Sequence, residues 1–254
     1  MARFSWKGQN HICGGSLINS RWILTAAHCV SLCDEEGKNC VDDQSQDIKV
    51  FLGDHNKDIL EGQEIKMDIS DIIKHPGYVG FIKNGPVGIH DIALLKLTKN
   101  VDFSNDAHRH IRPICLPSDD TQSYVGWEAT LAGWGNDGVG SSPSILQEIN
   151  GTVLSNSWQW HSKCRFGYDK LCVTHPDGQK HCRGDSGSPL ISKPADHDGA
   201  TPGENYEQIG VNSFMRGNCE KDGYYFGGYA RVTEHLNWIE KIISTTDHTT
   251  CPRE

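Results

Sequence analysis

Short runs of apolar residues with alternating or continuous hydrophobicity recur along the chain: "SRWILTAAH", "IKVFLG", "HDIALLKL", "WEATLAGWG", "QEINGTVL", "SPLIS", "YEQIGVNSF" and "YYFGGYARV". Gly, Asp, Asn and Pro separate them, which predicts short antiparallel strands closing into a sandwich or barrel. One stretch has a different period. Over residues 233–244, Leu236, Ile239, Ile242 and Ile243 fall on one stripe at helical spacing, and Thr233 stands where an N-cap would. This predicts a C-terminal helix docked on the β core. "IRPICLPSDD", residues 111–120, reads as a Pro-containing connector between two halves of similar size, and 245–254 as a polar tail. "SLCDEEGKNCVDDQSQD" reads as an acidic loop closed on itself by Cys33 and Cys40.

Composition narrows the class. The 254 residues suit one large all-β domain or two ordinary ones, with enough chain to bury a core. The formal charge is -9 and no basic stripe could follow a phosphate backbone, so nucleic acid is excluded as a partner. A membrane span would need roughly 20 consecutive apolar residues, and the chain has no such run. Ten cysteines at irregular spacing point to disulfides, hence to an oxidising compartment and a secreted protein. The start "MARFSWKGQNHICGGSL" carries no secretion signal, so the expectation is that the sequence lacks its front end.

Candidate chemistry centres on "HCRGDSGSPL", residues 181–190. A serine hydroxyl attacks only when a base takes its proton, and the base works best when a carboxylate fixes its tautomer. Gly184 and Gly187 flank Ser186 closely enough for a tight turn that aims the amides of Gly184 and Ser186 at one spot, where an oxyanion could sit. His28 ends the strand-like run "WILTAAHCV", and Asp91 opens "DIALLKL". Each has an ordinary reading alone: a loop turn, a structural histidine, a carboxylate exposed at a strand end.

Together, "LTAAHC", "DIALLKL" and "GDSGSP" run in the order His, Asp, Ser, alongside "CGGSLI", "IKHPGY", "IRPICLP" and "LAGWG". This combination resembles the trypsin-like, chymotrypsin-fold serine peptidases from Cys13 to about Ile243. The resemblance implies an all-β fold of two six-stranded antiparallel barrels with a C-terminal α-helix: barrel 1 over about 1–110, barrel 2 over about 121–232, the helix over 233–244, and the peptidase domain over 1–244. It implies His28 as general base and acid, Asp91 as its orienting carboxylate, Ser186 as nucleophile, Gly184 and Ser186 as oxyanion donors, and Ser213 as the hydroxyl that bonds the aspartate. It implies disulfides Cys13–Cys29, Cys164–Cys172 and Cys182–Cys219. With Cys33 and Cys40 paired, Cys115 and Cys251 remain. In clip-domain and chymotrypsin-type zymogens a cysteine at the Cys115 position bonds a propeptide. That partner is favoured, and Cys251 is the alternative.

Specificity is where the sequence departs from the family. Lys180 stands at the floor of the primary pocket, where trypsin-like members carry aspartate. Three readings are open: cleavage after Asp or Glu with Lys180 as counter-ion; a small neutral pocket with Lys180 turned away or paired with Asp177; or obstruction by Met215, opposite the small Gly227. "GDHNKDILEGQE" resembles the family's calcium loop, with Asp54, Asn56, Ile59, Glu61 and Glu64 as oxygen donors for a structural Ca2+; no cofactor is implied for catalysis itself. Asp185 matches the acid that pairs with the N-terminus freed on zymogen activation. Without that partner it is expected to turn outward or stay protonated, with poorly formed oxyanion amides. "NGT" at Asn150 is an N-glycosylation pattern. The expected function is a secreted serine endopeptidase acting on protein and peptide substrates, open to protein inhibitors; the alternative is a non-catalytic or zymogen-like homologue serving as a binding module.

Overall fold

The structure, a computed structural model, describes residues 1–34, 36, 39–43, 45–81, 88–136, 142–156, 164, 166–176, 184–193, 206–216 and 226–243. Its strands are β1 (Ala2–Trp6), β2 (Gln9–Leu17), β3 (Trp22–Thr25), β4 (Ser31–Leu32), β5 (Val41–Asp42), β6 (Ile48–Leu52), β7 (Ile65–Lys74), β8 (Ala93–Leu97), β9 (Glu128–Gly133), β10 (Gln147–Leu154), β11 (Lys170–Thr174), β12 (Pro189–Ser192), β13 (Glu207–Arg216) and β14 (Phe226–Arg231), followed by helix α1 (Val232–Ile243). They close into two antiparallel six-stranded barrels, β1-β2-β3-β8-β7-β6 and β10-β11-β14-β13-β12-β9, as expected.

Strand patterning explains the closure. In β6, Ile48, Val50 and Leu52 point inward while Lys49 and Phe51 alternate outward. Phe4, Trp22, Ile23, Leu24, Leu94 and Leu95 fill the first barrel; Leu131, Val153, Leu171, Val173, Leu190, Ile209 and Tyr229 fill the second. The helix crosses back, and its Val232, Leu236 and Ile239 join the first barrel's core. It begins one residue earlier than expected. Thr233 is therefore no N-cap; it is a buried helical residue.

Four barrel strands, β1, β2, β7 and β11, have no counterpart among the predicted runs. Two of them carry buried cations, which read as loop in a pattern of polar and apolar positions. Arg3 in β1 pairs with Asp54, and Lys170 at the start of β11 bonds Asp169 at 2.5 Å. The acidic loop is a two-stranded β4–β5 ribbon with the Cys33–Cys40 disulfide beyond it, and Lys74 pairs with Asp42 at its base.

Disulfides Cys13–Cys29 and Cys164–Cys172 form as expected, while Cys182 and Cys219 lie outside the described residues. Cys115 is disulfide-bonded as well.

Candidate active site

The two barrels meet through backbone and side-chain bonds that converge on one cleft. Gly14 N–H of β2 donates to the Ser186 carbonyl at 2.8 Å, and Thr25 Oγ1 of β3 donates to the Gly14 carbonyl at 2.8 Å. The Ser186 turn is thereby pressed against the end of β3. A methyl on Gly187 would lie 2.3 Å from Thr25 Oγ1, 2.4 Å from the Gly14 carbonyl and 3.2 Å from Cys29 Sγ, so only glycine fits beside the residue that follows His28. Gly184 and Gly187 adopt φ of 103° and 78°, a backbone that side chains rarely tolerate.

His28 lies in a short 3₁₀ turn after β3, one fifth of its side chain exposed. Its Nδ1 is 2.7 Å from Asp91 Oδ2, and its backbone amide donates to Asp91 Oδ1 at 2.9 Å. Ser213 Oγ, from β13 of the other barrel, donates to the same Oδ2 at 2.5 Å. Asp91 is fully buried. Burial pushes its carboxyl up, but the His28 ring, the bond from that ring, the Ser213 hydroxyl and the His28 amide together hold it below the usual carboxylate range. A buried, ionised carboxylate on Nδ1 leaves Nε2 as the proton-accepting nitrogen. Phe81 packs edge-on to the His28 ring at 5.3 Å, and Phe214 stands 6.4 Å beyond it. Neither phenylalanine was predicted at the site; Phe81 lies outside the predicted runs, and Phe214, although it ends the run that became β13, carries no signal of what it faces.

A family model described as Trypsin matches residues 1–239. Trypsin II-P29 of Gallus gallus is 34% identical over 244 residues, covering 92% of this chain and 80% of its own. Trypsin of Sus scrofa is 32% identical over 244 residues, covering 92% of this chain and 87% of its own. Melanization protease 1 of Drosophila melanogaster is 32% identical over 247 residues, with 92% of this chain but 59% of that longer relative covered.

The chain belongs to the trypsin family.

Within this trypsin-family enzyme, a serine endopeptidase by family, Asp185 takes only one of the two courses open to it, the inward one. It does not turn outward: it is buried, and its Oδ1 accepts the Gly135 amide at 2.8 Å. The glycines of "LAGWG" make room for it, since a methyl on Gly133 would fall 1.9 Å from Oδ1 and one on Gly135 2.3 Å from the carboxyl group.

The proposed calcium donors do not assemble. Asp54 is spoken for by Arg3, with Nε at 2.6 Å and Nη2 at 2.5 Å from Oδ2, both side chains almost wholly buried. Glu61 accepts the amides of His55 and Asn56, and Glu64 those of Glu61 and Gln63. The Asn56 carbonyl takes the Ile59 amide. The loop instead clamps the barrels together: Asn56 bridges Ile145, Lys57 N–H donates to the Ser144 carbonyl, and the Trp134 indole donates to the His55 carbonyl at 3.0 Å. A guanidinium supplies the positive charge that a metal would bring, and the residues do not fit Ca2+.

Of the pocket residues, Met215 and Gly227 face one another across the β13–β14 ladder, Met215 half-buried and Gly227 buried. Lys180 and Asp177 lie outside the described residues.

Proposed function

We propose that this chain hydrolyses peptide bonds through an acyl-enzyme in which Ser186 is the nucleophile. His28 Nε2 takes the Ser186 proton as the oxygen attacks the carbonyl carbon, then delivers it to the leaving amine. Water, activated by the same nitrogen, releases the acid product and returns Ser186 to its hydroxyl form. Asp91 orients His28 and stabilises its protonated form, Ser213 holds Asp91, and the amides of Gly184 and Ser186 receive the oxyanion. The single observation that carries this reading is the buried Asp91 carboxylate joining the His28 ring and the Ser213 hydroxyl across the two barrels, beside the glycine turn that presents Ser186.

The protein acts as a secreted zymogen-derived enzyme on protein substrates, and Asp185 receives the ammonium freed on activation. Two disulfide-closed loops and a third bridge behind His28 suit an oxidising compartment. Lys180 selects an acidic side chain before the scissile bond, with Met215 narrowing the wall of that pocket.

A fluorophosphonate probe tests the chemistry: labelling of the activated protein that Ser186→Ala abolishes supports it, and no labelling under any activation condition rejects it. A peptide library then reads the pocket. Preferential cleavage after Arg or Lys would remove Lys180 from the role of counter-ion.

A further inference from the structure

Next to Asp91 in the chain, His90 meets two further histidines from separate segments. His75 follows β7, His90 precedes β8 by way of Asp91, and His235 lies in the first turns of α1. One ring nitrogen from each falls within 4.8 Å of the others. His90 Nδ1 and His235 Nε2 are already 3.1 Å apart. A tetrahedral ion with bonds of about 2.0–2.1 Å holds its ligands about 3.3 Å apart. We propose that His75, His90 and His235 form a transition-metal site for a borderline dication of the Zn2+ class, with its fourth position open to water or an exogenous ligand.

Hydrogen bonds set up the donors at His235 and His90, while His75 Nδ1 accepts the Gly77 amide at 3.1 Å, a bond that this ring gives up to bind the ion. His235 Nδ1 lies 2.7 Å from the Arg231 carbonyl, which can only accept, so the proton sits on Nδ1 and the Nε2 lone pair points at His90. This is the outer bond that orients metal-binding imidazoles. His90 Nδ1 then donates to His235 Nε2; on binding, that proton moves to His90 Nε2 and the ion takes its place, with no net proton lost from the pair. The His90 backbone is held at φ 47°, unusual for a residue with a side chain, by its amide on Asp169 Oδ2 at 2.9 Å and by the Ile92 amide on its carbonyl at 2.8 Å. The structure thus spends strain to aim this ring inward. The Trp238 ring, 5.1 Å from His75, walls one side, while the half-exposed His75 and His90 leave a way in from solvent. Three imidazole nitrogens favour Zn2+ and its neighbours over Ca2+ or Mg2+, which prefer oxygen.

Among the described residues, the other close grouping, Cys13, His28 and Cys29, offers no thiolate because its two sulfurs form a disulfide.

Titration of the full chain with Co2+, followed by its visible ligand-field bands and by Zn2+ competition, tests the site. The expected result is one tetrahedral Co2+ that Zn2+ displaces. His75→Gln and His90→Gln, each checked for native circular dichroism, weaken binding by at least about tenfold, the loss that even an outer partner brings. His28→Ala leaves binding intact. Two variants are used so that one can read the site if the other misfolds. Absence of tetrahedral bands, or full-strength binding in the histidine variants, overturns the site; so does its loss in His28→Ala, which would put the ion in the catalytic cleft. Binding is read without turnover, so the result stands apart from whether the chain proves to be a hydrolase.

Discussion

Both carboxylate oxygens of Asp91 bond His28: Oδ1 takes its backbone amide at 2.9 Å and Oδ2, which also accepts the Ser213 hydroxyl, its ring Nδ1 at 2.7 Å. The double contact fixes both the position of the imidazole and its tautomer. In Asp91→Asn the amide can fill the same space, yet it presents a donor where the ring needs an acceptor. Turnover of a peptide substrate by the activated enzyme should fall by about four orders of magnitude with little change in KM. A loss of less than about tenfold would mean that Asp91 does not orient the base.

Gly187 admits no side chain, for two independent reasons: its positive φ and the crowding by Thr25 Oγ1 and the Gly14 carbonyl. Gly187→Ala should cost about 2–5 kcal/mol, combining backbone strain with overpacking. Urea unfolding reads the cost, and loss of fluorophosphonate labelling at temperatures where the variant is still folded reads the displaced Ser186.

Arg3→Met leaves Asp54 buried without its cation. The expected destabilisation is about 3–5 kcal/mol, with much of it recovered in the double variant Arg3→Met/Asp54→Leu, where no charge remains to bury. Because the guanidinium already occupies the place of a metal, the thermal midpoint of the wild-type protein should be the same in chelator and in millimolar Ca2+. A rise of several degrees with Ca2+ would contradict the Arg3–Asp54 assignment.

His175 is buried, with Nε2 3.1 Å from the Tyr229 hydroxyl and Nδ1 3.0 Å from the Asn150 carbonyl. Burial lowers its pKa below the ordinary histidine value of about 6.5, and the Asn150 carbonyl only partly opposes this. The unfolded chain therefore binds a proton more readily than the folded one. Stability is fully present above about pH 6.5 and is lost as pH falls from there toward the depressed folded value. The His175 Cε1 proton resonance, followed by NMR, should titrate below the unfolded value; a midpoint at or above it would reverse the sign.

Legibility along the chain followed the physics of each signal. The run "IKVFLG" became β6 because alternation is a local property, set by which face of a strand meets the core. "LAGWG" was legible as a motif, but its function was not: that its glycines hollow a cradle for Asp185 depends on a loop some fifty residues later in the chain. The calcium loop was misread for the same reason. Its acids are spaced as ligands, but a distant arginine claims the first of them.

The order His28, Asp91, Ser186, the β-rich punctuation and the stripe of the C-terminal helix were determined by the amino-acid sequence alone, since each rests on neighbours in the chain or on a motif read in one direction. Tertiary structure alone decided which buried charges found partners, as Arg3 did in Asp54 and Lys170 in Asp169, and that His75, His90 and His235 would share one pocket. The free energy of a buried polar group depends on whatever lies across the space it enters, and only the folded chain sets that neighbour.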